Sequence, residues 1–366
     1  MAEDSIRLVP ITKPAQISRR FHVDASRLEA VAQKYPMRIT EHYLSLIEEP
    51  DDPIWRQCIP SVDELSGAGG TEDPLAEERD CPVPWMVHRY PDRVLMRVSN
   101  QCATYCRFCT RKREVGDVRK FVSQNAIMRQ IEYIRAHPEV RDVILSGGDP
   151  LMLSDRMLDT ILSGLRSIPH LEIIRIGTRI PCTLPERVTE NLCRTLKRYH
   201  PLYMNIHFNH PREINDASAR ACGLLADAGI PLGSQTVLLK NVNDSPKVMR
   251  ELVQKLLRIR VKPYYLFQMD DVTGGQHFKT RVETGLAILK EIIGHTSGLA
   301  VPHFVVDTPG GGGKVPILPN FIEELGRDKI VLRNYQDLKF EYSQPSGKAP
   351  IPIQVTTGKI GRHLAN

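Results

Sequence analysis

The chain has 366 residues, 41% of them hydrophobic, with 49 Lys and Arg against 43 Asp and Glu and a net charge of +6. That length supports a full core and one large domain with extensions, and no apolar run approaches the roughly 18–20 residues of a membrane span. Basic and acidic residues are interleaved rather than blocked, which argues for solvated faces over a polyanion-binding surface, and eight cysteines in a chain this long do not make a secreted disulfide framework.

The amino-terminal MAEDSIRLVP lacks a charged-then-apolar signal pattern, so a cytoplasmic location is expected. Residues 1–93 read as a helical, loop-rich extension: Leu28, Val31 and Ala32 repeat at helical spacing, and Pro, Gly and acidic clusters follow from 50 to 84. From Val94 the pattern changes. Short apolar runs at 93–99, 142–146, 172–177, 202–208, 231–239 and 262–268 alternate with amphipathic stretches such as 154–167, 186–198, 246–259 and 281–294. This rhythm predicts an α/β core over 94–308 with a parallel sheet and right-handed crossovers, open or curled into a barrel, and with its active face at the carboxyl ends of the strands. A last apolar run at 303–307 leads into PGGGGK, and residues 309–366 form a lysine-bearing loop and a polar tail.

The motif NQCATYCRFCTRKREVG follows the first of these strands and spaces Cys102, Cys106 and Cys109 as C-x3-C-x2-C. A [4Fe-4S] cube usually takes four thiolates, so three local cysteines leave one iron free to bind a small molecule. A structural zinc site would be closed by a fourth ligand, and no second CxxC lies nearby; zinc and a redox disulfide remain the alternatives. Arg111, Lys112 and Arg113, directly after the third cysteine, suit a carboxylate or phosphate beside the cluster with fewer assumptions than nucleic acid.

SGGDP, Ser146 to Pro150, leaves the second strand through two glycines that permit close backbone approach to a ligand, or simply a tight turn. Beside a cluster, Ser146, Gly147, Gly148 and Asp149 become candidates for the amino-acid end of a cluster-bound ligand. PGGGGK fails the phosphate-loop pattern, because the Gly six residues before the Lys is Thr308 and the residue after it is Val315. Lys314 on a flexible glycine arm fits a Schiff-base lysine better, against the plain reading of a solvated loop. Asp270 and Asp307 near strand ends are either turn and cap residues or a carboxylate pair for a cation. Arg111 is placed to fork onto an α-carboxylate, and His207 and Gln235 sit late in the fourth and fifth strands, facing the site or satisfied within the core.

Taken together, the cysteine motif with TRKR, SGGDP, EHYLSLI at 41–47, VHRYPDR at 87–93, KPYYLFQMD at 262–270 and HTSGLAVPHFVVDTPGGGGKVP resemble the radical S-adenosylmethionine aminomutases of the lysine 2,3-aminomutase family, over about residues 40–345. The resemblance implies a partial (βα)6 barrel with an N-terminal helical extension and a C-terminal tail. It implies that Cys102, Cys106 and Cys109 hold a [4Fe-4S] cluster whose open iron binds S-adenosyl-L-methionine, and that Lys314 carries pyridoxal 5'-phosphate. Arg111 would bind the substrate carboxylate, and Asp270 with Asp307 the distal ammonium. The implied reaction moves the α-amino group of L-lysine to the β-carbon, through an imine with pyridoxal phosphate and a 5'-deoxyadenosyl radical, with an electron donor such as flavodoxin or ferredoxin. Arginine is the runner-up substrate, with Asp271, Phe267 and Gln268 as residues able to alter the pocket.

One departure stands out. The family's zinc ligands at a subunit contact correspond here to Ser245, Ile351, Ile353 and Thr356. No structural zinc is expected, although apolar contacts leave a homo-oligomer open. No nucleic-acid or membrane partner is expected; the reading from a different class is a nucleic-acid-binding protein with a three-cysteine zinc site.

Overall fold

The computed structural model describes residues 10–66, 69–117 and 119–345. Five short helices come first: α1 (Pro14–Phe21), α2 (Ala25–Lys34), α3 (Glu41–Leu44), α4 (Pro53–Cys58) and α5 (Asp63–Ser66). Leu28 and Val31 of α2 are buried, as their spacing predicts.

The main sheet has nine strands in sequential order: β1 (Met86–Tyr90), β2 (Arg93–Ser99), β3 (Asp142–Gly147), β4 (Ile173–Thr178), β5 (Leu202–Ile206), β6 (Leu232–Leu238), β7 (Val261–Gln268), β8 (His303–Thr308) and β9 (Gly313–Pro316). Pairs β2 through β8 are all parallel, whereas β1 and β9 are antiparallel at the two edges. The crossovers are α6 (Gln124–Ala136), α7 (Asp155–Arg166), α8 (Ile180–Thr183) with α9 (Glu190–Lys197), α10 (Asp216–Asp227), α11 (Pro246–Arg258) and α12 (Val282–Ile292). A parallel sheet whose neighbours follow chain order is the topology of a barrel, here left open between β1 and β9. The sheet reaches beyond 94–308 at both ends, because β1 precedes that span and β9, carrying Lys314, follows it.

Period-two alternation decides which side chains reach the interior. Val143, Leu145, Ile174, Ile176, Leu202 and Met204 turn outward into the core shared with the helices. Their alternates Ser146, Gly177, Asn205, Gln235 and Phe267 line a central cavity. The helices start where short polar side chains satisfy the first free amides: Ser123, Ser154, Thr189 and Asn215 accept from the backbones of Ala126, Met157, Leu192 and Ser218. After the barrel, β10 (Ile322–Leu325), β11 (Lys329–Arg333) and β12 (Lys339–Ser343) form a separate antiparallel sheet exposing Leu325, Leu338, Phe340 and Tyr342. Ser245 is the residue before α11, while Ile351, Ile353 and Thr356 lie outside the described residues.

Candidate active site

The cavity opens at the carboxyl ends of the strands, and the cysteine loop after β2 forms one wall of it. Cys102, Cys106 and Cys109 all line it. No disulfide joins them. Burial pushes the Cys109 thiol up to about 11 and raises Cys102 as well, so metal binding there must displace protons. Among the described residues no three His, Cys, Asp or Glu side chains converge on one point where a single ion could sit.

The loop is anchored by the N-terminal helices. Arg107, 2% exposed, forks onto the fully buried Glu64 of α5 and donates to the Pro36 and Tyr35 carbonyls. Lys112 joins the same carboxylate at 2.7 Å. Arg113 pairs with Asp73 and Glu78, and Arg111 forks onto Glu77 through Nε and Nη2 at 2.8 and 2.6 Å. The basic run is therefore ion-paired within the fold rather than displayed as a patch.

Arg111 does reach the cavity: its Nη1 donates to Gly147 O at 2.9 Å and Ser146 Oγ at 3.3 Å. With Glu77 on its fork, only one Nη2 proton remains for an incoming carboxylate. Burial works against Glu77's charge, yet Arg111, Arg97 and Arg113 outweigh it and hold this carboxyl down at about 2.

The glycines of SGGDP answer to the backbone. Gly147 has φ +121, and a Cβ on Gly148 would lie 2.4 Å from Gln101 O. Two glycines are thus what lets β3 end directly against the cluster loop, while Ser146 through Asp149 still line the cavity. The Asp149 carboxylate is engaged internally, accepting from Thr178 Oγ1, Arg179 N and Leu151 N.

Lys314 sits on β9 directly opposite Asp307 of β8. Its ammonium is 3.0 Å from both Asp307 oxygens and 5.3 Å from the Phe267 ring centroid. The preceding glycines do not form the loose arm expected. They make the hairpin turn between β8 and β9, with Gly310, Gly311 and Gly313 at positive φ, and the turn is held by Arg79 on Gly310 O and by Tyr90 Oη on Lys314 N. A side chain on Gly311 or Gly312 would collide with Arg79 or Thr308.

Asp270, just after β7, lines the same cavity as Asp307 and has no salt bridge among the described residues. Burial, then the charge of Asp307, pushes its carboxyl up to about 7. Asp271 is turned elsewhere, bonded to Lys279 and Gln276, and Gln268 donates to Thr280 O; of the three residues expected to alter the pocket only Phe267 lines it. His207 and Gln235 also line the cavity. Burial, with Arg179 adding to it, lowers His207 to about 3, so its imidazole is neutral. His207 Nε2 and Asn205 Nδ2 are buried in this wall without a hydrogen-bond partner. Unsatisfied buried polar atoms facing a cavity fit a site made for a polar ligand.

Three residues escaped the sequence reading. Asn205 stands at an inward position of β5, where strand alternation alone could have marked it. Glu77 lies in an acidic loop with no periodicity, and Arg179 follows β4 like any turn residue.

The radical SAM superfamily model matches residues 96–253, and that of the lysine-2,3-aminomutase C-terminal family matches residues 289–360. L-lysine 2,3-aminomutase of Clostridium subterminale is 48% identical over 99% of this chain and 86% of its own length. The enzyme of that name from Methanococcus maripaludis is 50% identical over 88% of this chain and 76% of its own length. Glutamate 2,3-aminomutase of Clostridioides difficile is 46% identical over 84% of this chain and 74% of its own length. With such identity along nearly its whole length, the chain belongs to the radical SAM lysine 2,3-aminomutase family of isomerases.

Proposed function

We propose that this enzyme moves the α-amino group of L-lysine to the β-carbon. The observation that carries the reading is the Asp270–Asp307 wall, where Asp307 already receives a primary ammonium, that of Lys314, in the way it would receive the side chain of a lysine substrate. A glutamate side chain would bring a third carboxylate to that wall. An arginine substrate would pair with the same two carboxylates and is the competitor to test.

Cys102, Cys106 and Cys109 would hold the [4Fe-4S] cluster, Lys314 the pyridoxal phosphate, and the unpartnered His207 Nε2 and Asn205 Nδ2 would meet polar atoms of bound cofactors, with Gln235 and the Ser146–Asp149 backbone beside them. When bound, the cluster with S-adenosylmethionine supplies a carbon-centred radical able to take a substrate hydrogen, and pyridoxal phosphate supplies the conjugated carbonyl that lets nitrogen shift between neighbouring carbons. The chain's own part is to position. Arg111 holds the α-carboxylate through its remaining Nη2 proton and its charge, and Asp270 and Asp307 fix the far ammonium. Val237, Phe108 and Phe267 in the wall exclude water from the reacting carbons.

The electron comes from a low-potential one-electron donor such as flavodoxin or ferredoxin. Eight free cysteines and a cluster site support a reducing, cytoplasmic location, and no helix among the described residues is long and apolar enough to cross a membrane. The exposed apolar side chains of β10–β12 support a homo-oligomer.

Anaerobically reconstituted protein tests the reading. Iron and acid-labile sulfide at four of each per chain and a β-amino product from lysine, in preference to arginine and glutamate, are expected. Stoichiometric zinc without sulfide would sink it, and turnover of glutamate alone would overturn the two-carboxylate argument. Lys314→Ala is expected to lose retained pyridoxal phosphate, seen as loss of its near-ultraviolet absorption after gel filtration.

A further inference from the structure

Arg179, 7% exposed, stands immediately after β4 and has no part in the positioning just described. Its Nη1 donates to Cys106 Sγ at 2.8 Å. Its Nη2 lies within hydrogen-bond distance of Glu213 Oε1 (2.8 Å), Tyr43 Oη (2.8 Å) and Gln57 Oε1 (2.7 Å). Glu213 is fully buried and is fixed in turn by Tyr43 Oη at 2.6 Å and by the Asn209 and His210 amides. The guanidinium carbon lies 5.4 Å from the Phe108 ring centroid, so an aromatic face covers that side. A buried cation is thus clamped between the Glu213 carboxylate and the Cys106 sulfur, with the buried Cys182 thiol also beside it. Among the described residues, Cys106 is the one cysteine of the three whose sulfur receives a charged hydrogen bond; Cys109 receives only the Arg111 amide, at 3.4 Å.

Such an arrangement has a direct electrostatic meaning for a cluster held at that sulfur. Reduction adds one negative charge, part of which spreads onto the thiolates. A cationic donor on a thiolate then stabilises the reduced form more than the oxidised one, and in a buried site solvent screens little of that difference. The carboxylate behind the cation works the other way, drawing part of its field back.

We propose that Arg179 is a positioning residue that raises the reduction potential of the cluster through Cys106, and that Glu213 sets how much of its charge the sulfur feels. This rests on the cluster reading above and adds to it the means by which the protein tunes the electron-accepting step.

The test is an anaerobic redox titration of reconstituted full-length protein, followed by electron paramagnetic resonance, with iron, sulfide and melting temperature measured on every sample. Arg179→Gln is expected to lower the midpoint enough that the reduced fraction, at a poise above both midpoints, falls about tenfold, equivalent to about 59 mV for one electron. Arg179→Lys is expected to recover most of that loss. Glu213→Gln, which leaves the cation without its counter-charge, is expected to shift the midpoint upward. Opposite shifts from the two ends of one pair are a signature that mere loss of packing does not produce. Midpoints that stay put with the cluster intact, or that move the same way in both variants, would overturn the proposal. If Arg179→Gln fails to hold a cluster, the Glu213→Gln midpoint decides, and loss of the cluster in every variant would reduce the pair to structural support. A wild-type protein without iron and sulfide would instead overturn the proposed function, and this inference with it.

Discussion

The carboxylate pair makes a quantitative statement about pH. Burial and the charge of Asp307 push Asp270 up to about 7 against the pull of the free Lys314 ammonium, so near neutrality the empty wall holds about half a proton on that group, and more once Lys314 gives up its charge to the cofactor. A substrate ammonium, with an ordinary pKa of about 10.4, stays charged throughout and binds best when Asp270 is ionised. Binding therefore weakens as pH falls through about 7. For a single group the apparent dissociation constant scales as one plus the ratio of protonated to ionised Asp270, which rises from about 1.1 at pH 8 to about 11 at pH 6, a tenfold loss or about 1.4 kcal/mol. Asp270→Asn should flatten the profile over that range and bind lysine at pH 8 more weakly than the wild type does. The assay is calorimetry on holoenzyme without reductant, comparing lysine with norleucine, which keeps the α-amino acid end and lacks the terminal ammonium. The lysine-to-norleucine affinity ratio isolates the far end of the site. A ratio constant between about pH 6 and pH 8 in the wild type, or a slope that survives in Asp270→Asn, would refute the reasoning.

Two further perturbations address the frame around the cavity. Glu77 titrates at about 2 against an ordinary 4.5, so its stabilisation is fully present above about pH 4.5 and is lost as pH falls through about 2. Glu77→Gln should remove that part of the acid sensitivity and, by stranding buried Arg111, lower stability near neutrality by about 3–5 kcal/mol; denaturant melts across pH check both, and an unchanged midpoint at neutral pH would count against the ion pair. Gly148→Ala would force a Cβ to within 2.4 Å of Gln101 O, an overpacking expected to destabilise by about 1–3 kcal/mol and to reduce iron incorporation. Wild-type melting and iron content in that variant would show that the β3 end and the cluster loop separate freely.

The core was legible because strand and helix periods are local. The runs at 142–146 and 262–268 became β3 and β7 within a residue or two, and the cysteine motif, SGGDP, Asp270 and Asp307 all came to the same end of the sheet. What the sequence hid was partnership. Arg111, Lys112 and Arg113 look like a basic patch until Glu64, Glu77 and Asp73, residues 34 or more positions away, are folded against them. Glu213 is likewise invisible as the partner of Arg179, because nothing local records which buried cation a buried carboxylate meets. The four glycines read as slack, yet steric demands from Arg79, Thr308 and Tyr90 on Gly311, Gly312 and Gly313, with the positive φ of Gly310, make them a defined turn.

That turn has a wider consequence. Asp307 and Lys314 are direct cross-strand partners, so their side chains stand on one face, and the register of a single hairpin sets the anchor for the cofactor against half of the receptor for the substrate's far end. A one-residue slip in the turn would carry Lys314 to the opposite face of the sheet, away from Asp307, whose own strand is held in register by β7. Lengthening or shortening PGGGG is then an edit to the cofactor anchor relative to a fixed receptor: it would part Lys314 from Asp307 while β7 keeps Asp307 in place.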